Sequence, residues 1–252
     1  MKINEIDKIY GSDYSGEDDF QWSPEQVKNM SRGAKPLPGT GYYWTTTRTD
    51  GAFFIVIIDP AYPDEDEFDD DEDEYAPKIS PGVIAFLMIE QTINIGKIKI
   101  MEVNAIATRK QYRGQGLASA LYLIAMRQLN CWIRSGGSQT PAGRRAWVRL
   151  NQIPGVQVEG LIEVEDDAFD DYTADKLIDN LMQVGFNNIG EERADWRASS
   201  PGRMNHFFTF PVRRGKGELV NAIRKAKFNT YGNRNVPWND DVSLVAHWVG
   251  NK

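Results

Sequence analysis

The nine residues from Gln111 to Ser119 read QYRGQGLAS and are the part of this chain best equipped for chemistry. Gly114 and Gly116 stand one residue apart, Arg113 precedes them, and an apolar helix-forming run follows. Glycine lets the main chain take positive φ and lets a ligand come close. The first N–H groups of a helix have no internal acceptor, and the helix dipole adds partial positive charge there. A strand, this turn and a helix would therefore cradle an anion, with Arg113 adding a full charge. The same glycine pair also fits an ordinary tight strand-to-helix turn. Two other phosphate motifs are excluded: GxxxxGK[ST] is absent, and GxGxxG fails because Ser119 stands where the last glycine belongs.

Such a turn needs elements to hold it. Lys97 to Thr108 (KIKIMEVNAIAT) predicts the strand before it, and Leu117, Leu121, Ile124, Ala125 and Leu129 predict one face of a helix behind it. Upstream, Gly41–Thr49 and Ala52–Asp59 flank Asp50-Gly51, a strong hairpin signal. Val83–Thr92 predicts a buried strand, joined to the next through Asn94 and Gly96, so four strands form a meander. Cys131–Ser135 predicts a short strand, and Thr140-Pro141 opens a helix over Pro141–Asn151. Near the N-terminus, Ser23 caps a short helix to Met30, with Pro24 at its first position. Further on, Val156–Glu165, His206–Val212 and Ser243–Val249 predict strands. Thr173–Phe186 and Glu218–Phe228 predict helices, the second basic.

Composition sets the class. The chain has 252 residues, 41% hydrophobic and 26% charged, near globular averages. No apolar run approaches the roughly 20 residues that cross a bilayer, and MKINEIDKIY has no apolar signal core. The expectation is a cytoplasmic protein. Its charge is uneven: Asp64–Tyr75 holds ten acidic residues and no basic ones, and without it a net charge of −7 becomes +3. There is no internal repeat and no clear linker. We expect an N-terminal segment over residues 1–40 and one domain over 41–252, with an acidic loop at 63–75 and an extended C-terminal region at 155–242.

The string QYRGQGLASALY, following a strand, resembles the Q/R-x-x-G-x-G/A signature of the GNAT (general N-acetyltransferase) superfamily. The segment SGGSQTPAGRRAWVRL looks like the corresponding part of GNAT-like proteins encoded by bacteriophages. The resemblance covers about Gly41 to Leu150. It implies an α+β or α/β fold: a mixed, largely antiparallel central sheet flanked by helices, here with a C-terminal insertion. It also implies an acetyl-CoA site. The pyrophosphate would rest on the amides of Arg113, Gly114, Gln115, Gly116, Leu117 and Ala118. The pantetheine arm would pair with Ile106, Ala107 and Thr108, where the strand splays from its neighbour.

Transfer in this family is direct attack of an amine on the thioester, so no covalent nucleophile is needed. Glu102, on the strand before the turn, is the candidate base, with Glu90 on the neighbouring strand as an alternative. Glu102 shares its two-residue parity with Asn104, Ile106 and Thr108; a glutamate on a solvated strand face is the other reading. Where many family members carry a tyrosine acid, this chain has Trp147, whose indole cannot protonate a thiolate at neutral pH. Tyr112, Tyr122, water, or no catalysis at all are left open. The acyl acceptor is an amine of unknown identity, a homodimer is compatible with the family, and a phage-encoded protein would work in the host cytoplasm.

The remaining groups point elsewhere. Cys131 sits in an apolar context and reads as core. His206 and His247 lie in apolar strand-like runs and have no metal-ligand spacing, so no metal is expected. The acidic run could attract a cationic amine or be a solvated insertion. The basic stretch Arg213–Lys227 could touch nucleic acid but reads better as a solvated helix face; neither nucleic acid nor a membrane is expected as a partner.

Overall fold

The computed structural model describes residues 8–10, 22–49, 52–61, 82–136, 141–165, 179, 182–183, 185–194, 203–211 and 242–250. The acidic run, the basic segment and most of the helix expected at Thr173–Phe186 lie outside them.

The fold is mixed α+β: a large, mostly antiparallel open sheet with few helices. In chain order the elements are β1 (Lys8–Tyr10), α1 (Pro24–Arg32), β2 (Lys35–Pro36), β3 (Tyr43–Thr49), β4 (Ala52–Ile58), β5 (Val83–Ile95) and β6 (Ile98–Thr108). There follow α2 (Leu117–Gln128), β7 (Trp132–Arg134), α3 (Pro141–Leu150), β8 (Val156–Glu165), β9 (Asn187–Ala194), β10 (Arg203–Pro211) and β11 (Val242–Trp248). The sheet order is β2-β3-β4-β5-β6-β7-β11-β8-β10-β9, with β1 also paired to β6. Among the described residues, every pairing is antiparallel except β6 with β7.

The expected meander is present. Thr49 pairs with Ala52, as the two-residue Asp50-Gly51 connection requires, and Ile95 pairs with Ile98 around Gly96. The helix at α1 starts where its capping residues put it. The Ser23 hydroxyl accepts from the Gln26 N–H at 3.2 Å, while the Gln26 side-chain oxygen accepts from the Ser23 N–H at 2.7 Å. The helix runs two residues beyond Met30, to Arg32.

Two cores lie on opposite faces of the sheet. On one face, Leu117, Leu121, Tyr122 and Ala125 of α2 and Trp147 and Leu150 of α3 pack on Ile55, Ile57, Leu87, Ile89, Met101, Val103 and Ile106. On the other, Trp22 and Val27 cover Phe54, Val56, Phe86, Met88, Ala105 and Ala107. β6 is therefore buried on both sides, and each large side chain so buried contributes about 1.5–3 kcal/mol. The far end of the sheet curls back: the Asn94 N–H donates to the Glu192 carboxylate at 3.1 Å, bringing β9 against the end of β5.

Candidate active site

The turn after β6 is built from the strand outward. Arg109 opens it with its N–H on the Ile84 carbonyl at 2.9 Å and its Nε on the Val83 carbonyl at 2.7 Å. A single 3-10 turn, Lys110–Tyr112, follows. Gly114 and Gly116 both sit at φ 82°, the left-handed region that disfavours any residue with a Cβ. Gly116 is the N-cap of α2, and the first helical hydrogen bond is from the Ala120 N–H to the Gly116 carbonyl at 3.0 Å. Among the described residues, no acceptor engages the N–H groups of Gly114, Gln115, Gly116, Leu117, Ala118 or Ser119. No heavy atom beyond its own neighbours lies within 4 Å of where a Cβ would stand at Gly116. Six donors, a helix N-terminus and open space thus coincide, which is the electrostatic requirement for an anion.

Side chains hold this turn from outside. The Tyr42 hydroxyl donates to Gln115 Oε1 at 2.9 Å, and the Tyr112 hydroxyl donates to Asp59 Oδ2 at 2.8 Å. The Tyr42 and Tyr112 rings meet edge to face at 5.7 Å. One detail of the sequence reading needs correction. The Arg113 N–H is already used, donating to the Lys110 carbonyl at 3.2 Å in closing the 3-10 turn, so Arg113 offers its guanidinium and not its amide. Its Nε lies 3.3 Å from the Thr108 carbonyl.

β6 is bulged and splayed. Met88 pairs with Ala105 and Ile89 with Val103, leaving Asn104 as the extra residue. That extra residue reverses the alternation. Met101 and Val103 face α2, then Ile106 does, whereas Ala105 and Ala107 face α1. Glu102 is therefore on the face opposite Ile106 and Thr108, not the same one; the shared parity expected from spacing alone fails at the bulge. β7 pairs with β6 only over Ile100–Glu102 and then parts from it. Beyond that point the edge of β6 is taken by β1, with Ala105, Ile106 and Ala107 opposite Tyr10, Ile9 and Lys8. Thr108 ends the strand with its Oγ1 buried and without a hydrogen-bond partner among the described residues.

Glu102 lies among charges. Glu90 is directly opposite it across β5 and β6, and Arg134 is its partner on β7, with Nε 4.0 Å from the carboxylate. Burial pushes the Glu102 carboxyl above its ordinary value, the Arg134 guanidinium opposes this, and the Glu90 charge adds to it. Arg134 also donates from Nε to Ser243 Oγ at 2.9 Å and reaches Glu163 at 3.8 Å. Asn205 donates to Glu163 at 2.5 Å. Arg134, Glu163, Asn205 and Ser243 are not identifiable from sequence. Arg134 and Ser243 are 109 positions apart, and only the insertion of β11 between β7 and β8 brings them together.

The candidate acids differ. Trp147 is buried against Tyr122, with ring centroids 5.8 Å apart. Burial and the hydrogen bond to Asp59 raise the Tyr112 phenol, whose hydroxyl is committed to that carboxylate. The Tyr122 hydroxyl is buried without a hydrogen-bond partner among the described residues, and burial raises its pKa too. Cys131 is core, its thiol pushed up to about 11 chiefly by burial. His206 meets Glu191 at 3.2 Å. His247 meets Glu159 at 3.4 Å and stacks on Trp132 at 4.0 Å. Among the described residues, no three His, Cys, Asp or Glu side chains gather as a metal site, and no helix is long and apolar enough to cross a membrane.

No family model matches the chain, and no curated protein matches it at a significant level. Among solved structures it is similar to Arabidopsis thaliana NAA60 in complex with a bisubstrate analogue, at 10% identity over 66% of this chain and 79% of that one, with a TM-score of 0.26. It is similar to the ribosomal-protein-S18-alanine N-acetyltransferase from Escherichia coli at 11% identity, over 77% of this chain and 92% of that one, with a TM-score of 0.25. It is also similar to the NatC complex bound to Gag peptide and CoA, at 15% identity over 64% and 71%, with a TM-score of 0.23. Scores this low are too loose to carry the chemistry, which rests on the chain's own geometry.

Proposed function

We propose that this protein is a GNAT-type N-acyltransferase that moves an acetyl group from acetyl-CoA to a primary amine of a small molecule or a protein. The observation that carries this reading is the turn after β6: six successive N–H groups without an acceptor among the described residues, at a helix N-terminus, beside a bulged strand that parts from its parallel neighbour. The residues fit the group. The amides of Gly114, Gln115, Gly116, Leu117 and Ala118 suit a diphosphate, with the Arg113 guanidinium close by. Ile106, Ala107 and the unpartnered Thr108 hydroxyl suit an amide-bearing arm lying along the strand.

When bound, acetyl-CoA supplies an acetyl group already activated as a thioester. Glu102 takes the proton from the incoming ammonium group. Burial and Glu90 raise its pKa, making it a stronger acceptor at neutral pH than an exposed carboxylate. Arg134 holds Glu102 in place from β7. Glu90, Glu102 and Glu163 outweigh that single guanidinium, so the field around them favours a cationic acceptor. The resemblance of the stretch before and within α3 to phage-encoded proteins supports a phage origin for the chain.

Labelled acetyl-CoA offered with a panel of polyamines, aminoglycosides and lysine peptides tests the proposal. The expected result is acetylated product with at least one class, slowed about 10²–10⁴-fold by Glu102→Gln. A second reading, a catalytically inactive GNAT-like scaffold acting as a phage accessory or virion-associated binding protein, is favoured by Trp147 standing where an acid is expected. CoA binding without product from any amine would select it.

A further inference from the structure

The edge of β6 just before the turn is occupied by the chain itself. β7 leaves β6 after Glu102, and β1 fills the opening, pairing with Ala105, Ile106 and Ala107 and running alongside α3. Those three β6 residues are at most 6% exposed. Their main-chain polar groups therefore need a partner, because a buried, unpaired N–H or C=O is costly. The partner need not be protein, but it must be extended and bear donors and acceptors. β1 meets that need with only three residues, well short of an ordinary strand.

We propose that β1 is a displaceable plug: it holds the edge of β6 in the unliganded protein and must leave when acetyl-CoA seats its amide-bearing arm there. The proposal rests on the acetyl-CoA reading above and adds a regulatory element to the same site. At the diphosphate end, among the described residues, the Gly114–Ser119 N–H groups have no acceptor and the space beside Gly116 is clear, whereas the arm end is closed, so the two halves of one ligand meet different resistance. Anchoring on the open amides comes first, and strand exchange follows. The apparent affinity for the whole ligand is reduced by the fraction of molecules in which β1 is docked. Because β1 is tethered to the chain, it competes at high effective concentration.

Two full-length variants test this by titration calorimetry with CoA. Lys8→Pro/Ile9→Pro/Tyr10→Pro removes every N–H that β1 can offer, whichever register bonds are formed. It should bind CoA about tenfold more tightly than the unaltered protein, as expected if the plugged form outnumbers the open one by about ten to one. Tyr10→Cys/Ala105→Cys places two thiols on residues that are cross-strand partners, within reach of a disulfide; Cys131 is buried and does not compete. The oxidised form should carry the engineered disulfide between the two substituted positions, verified by peptide mapping, and lose CoA binding, and reduction should restore it. Binding by the unaltered protein that the proline variant does not tighten, or equal binding by the oxidised and reduced double variant, overturns the plug and leaves the transferase reading standing. Absence of CoA binding in every form overturns both.

Discussion

Two glutamates facing each other across a strand pair repel, and Glu102 bears the consequence. Its pKa is raised by burial first and by Glu90 second, against the pull of Arg134. As the base, it must be ionised, so kcat/KM should fall as pH drops through a value higher than that of an ordinary exposed glutamate. Glu102→Gln should remove that acid limb along with most of the rate. The stability consequence has the opposite sense. A carboxyl with a raised folded pKa favours the folded state at low pH and loses that contribution as pH rises through it. The glutamine variant should therefore melt no lower than the parent at neutral pH, which separates a chemical role from a structural one. Tyr122 offers a second test. A buried hydroxyl without a partner costs about 1–3 kcal/mol, so Tyr122→Phe should raise thermal stability. A simultaneous fall in kcat at constant KM for acetyl-CoA would identify the hydroxyl as the proton source, and an unchanged kcat would leave that task to water.

The strand, turn and helix around Gly114 and Gly116 are legible in the sequence, because each has a local cause: β-branched alternation, a glycine pair and helical spacing. The bulge is not. Asn104 has no distinctive neighbour in sequence, yet one extra residue moves Glu102 to the other face of the sheet relative to Ile106. β9 also escapes sequence reasoning; NNIGEERA is polar and lies at the sheet edge, where pairing and not apolar pattern defines a strand. β1 is hidden for a related reason, since three residues acquire strand geometry only by borrowing the free edge of β6. The turn itself predicts the behaviour of Gly116→Ala. At φ 82° the added Cβ should cost about 1–2 kcal/mol in stability. It would also project into the open space beside the free amides, so CoA affinity should fall about tenfold or more in protein that is still folded.

Across the whole molecule, one sheet joins two kinds of surface. Its β3–β6 half carries the amide-lined turn, and its β7–β11 half carries Arg134, Glu163 and Ser243 to the side of Glu102. The seam between the halves is the short parallel contact of β6 with β7, three residues long, and the proposed chemistry sits at that seam. Long-range pairings of this kind leave little trace in local sequence. The most direct measurement is a CoA titration of isotope-labelled protein, followed by the amide signals of Gly114 through Ser119. Large, saturable shifts of those amides and of Ala105–Thr108, with Lys8–Tyr10 of β1 moving alongside them as the plug leaves, are the predicted result. If the six turn amides stay unmoved at about 1 mM CoA, an affinity far weaker than a working cofactor site would show, the turn is only a turn and the transferase proposal is wrong.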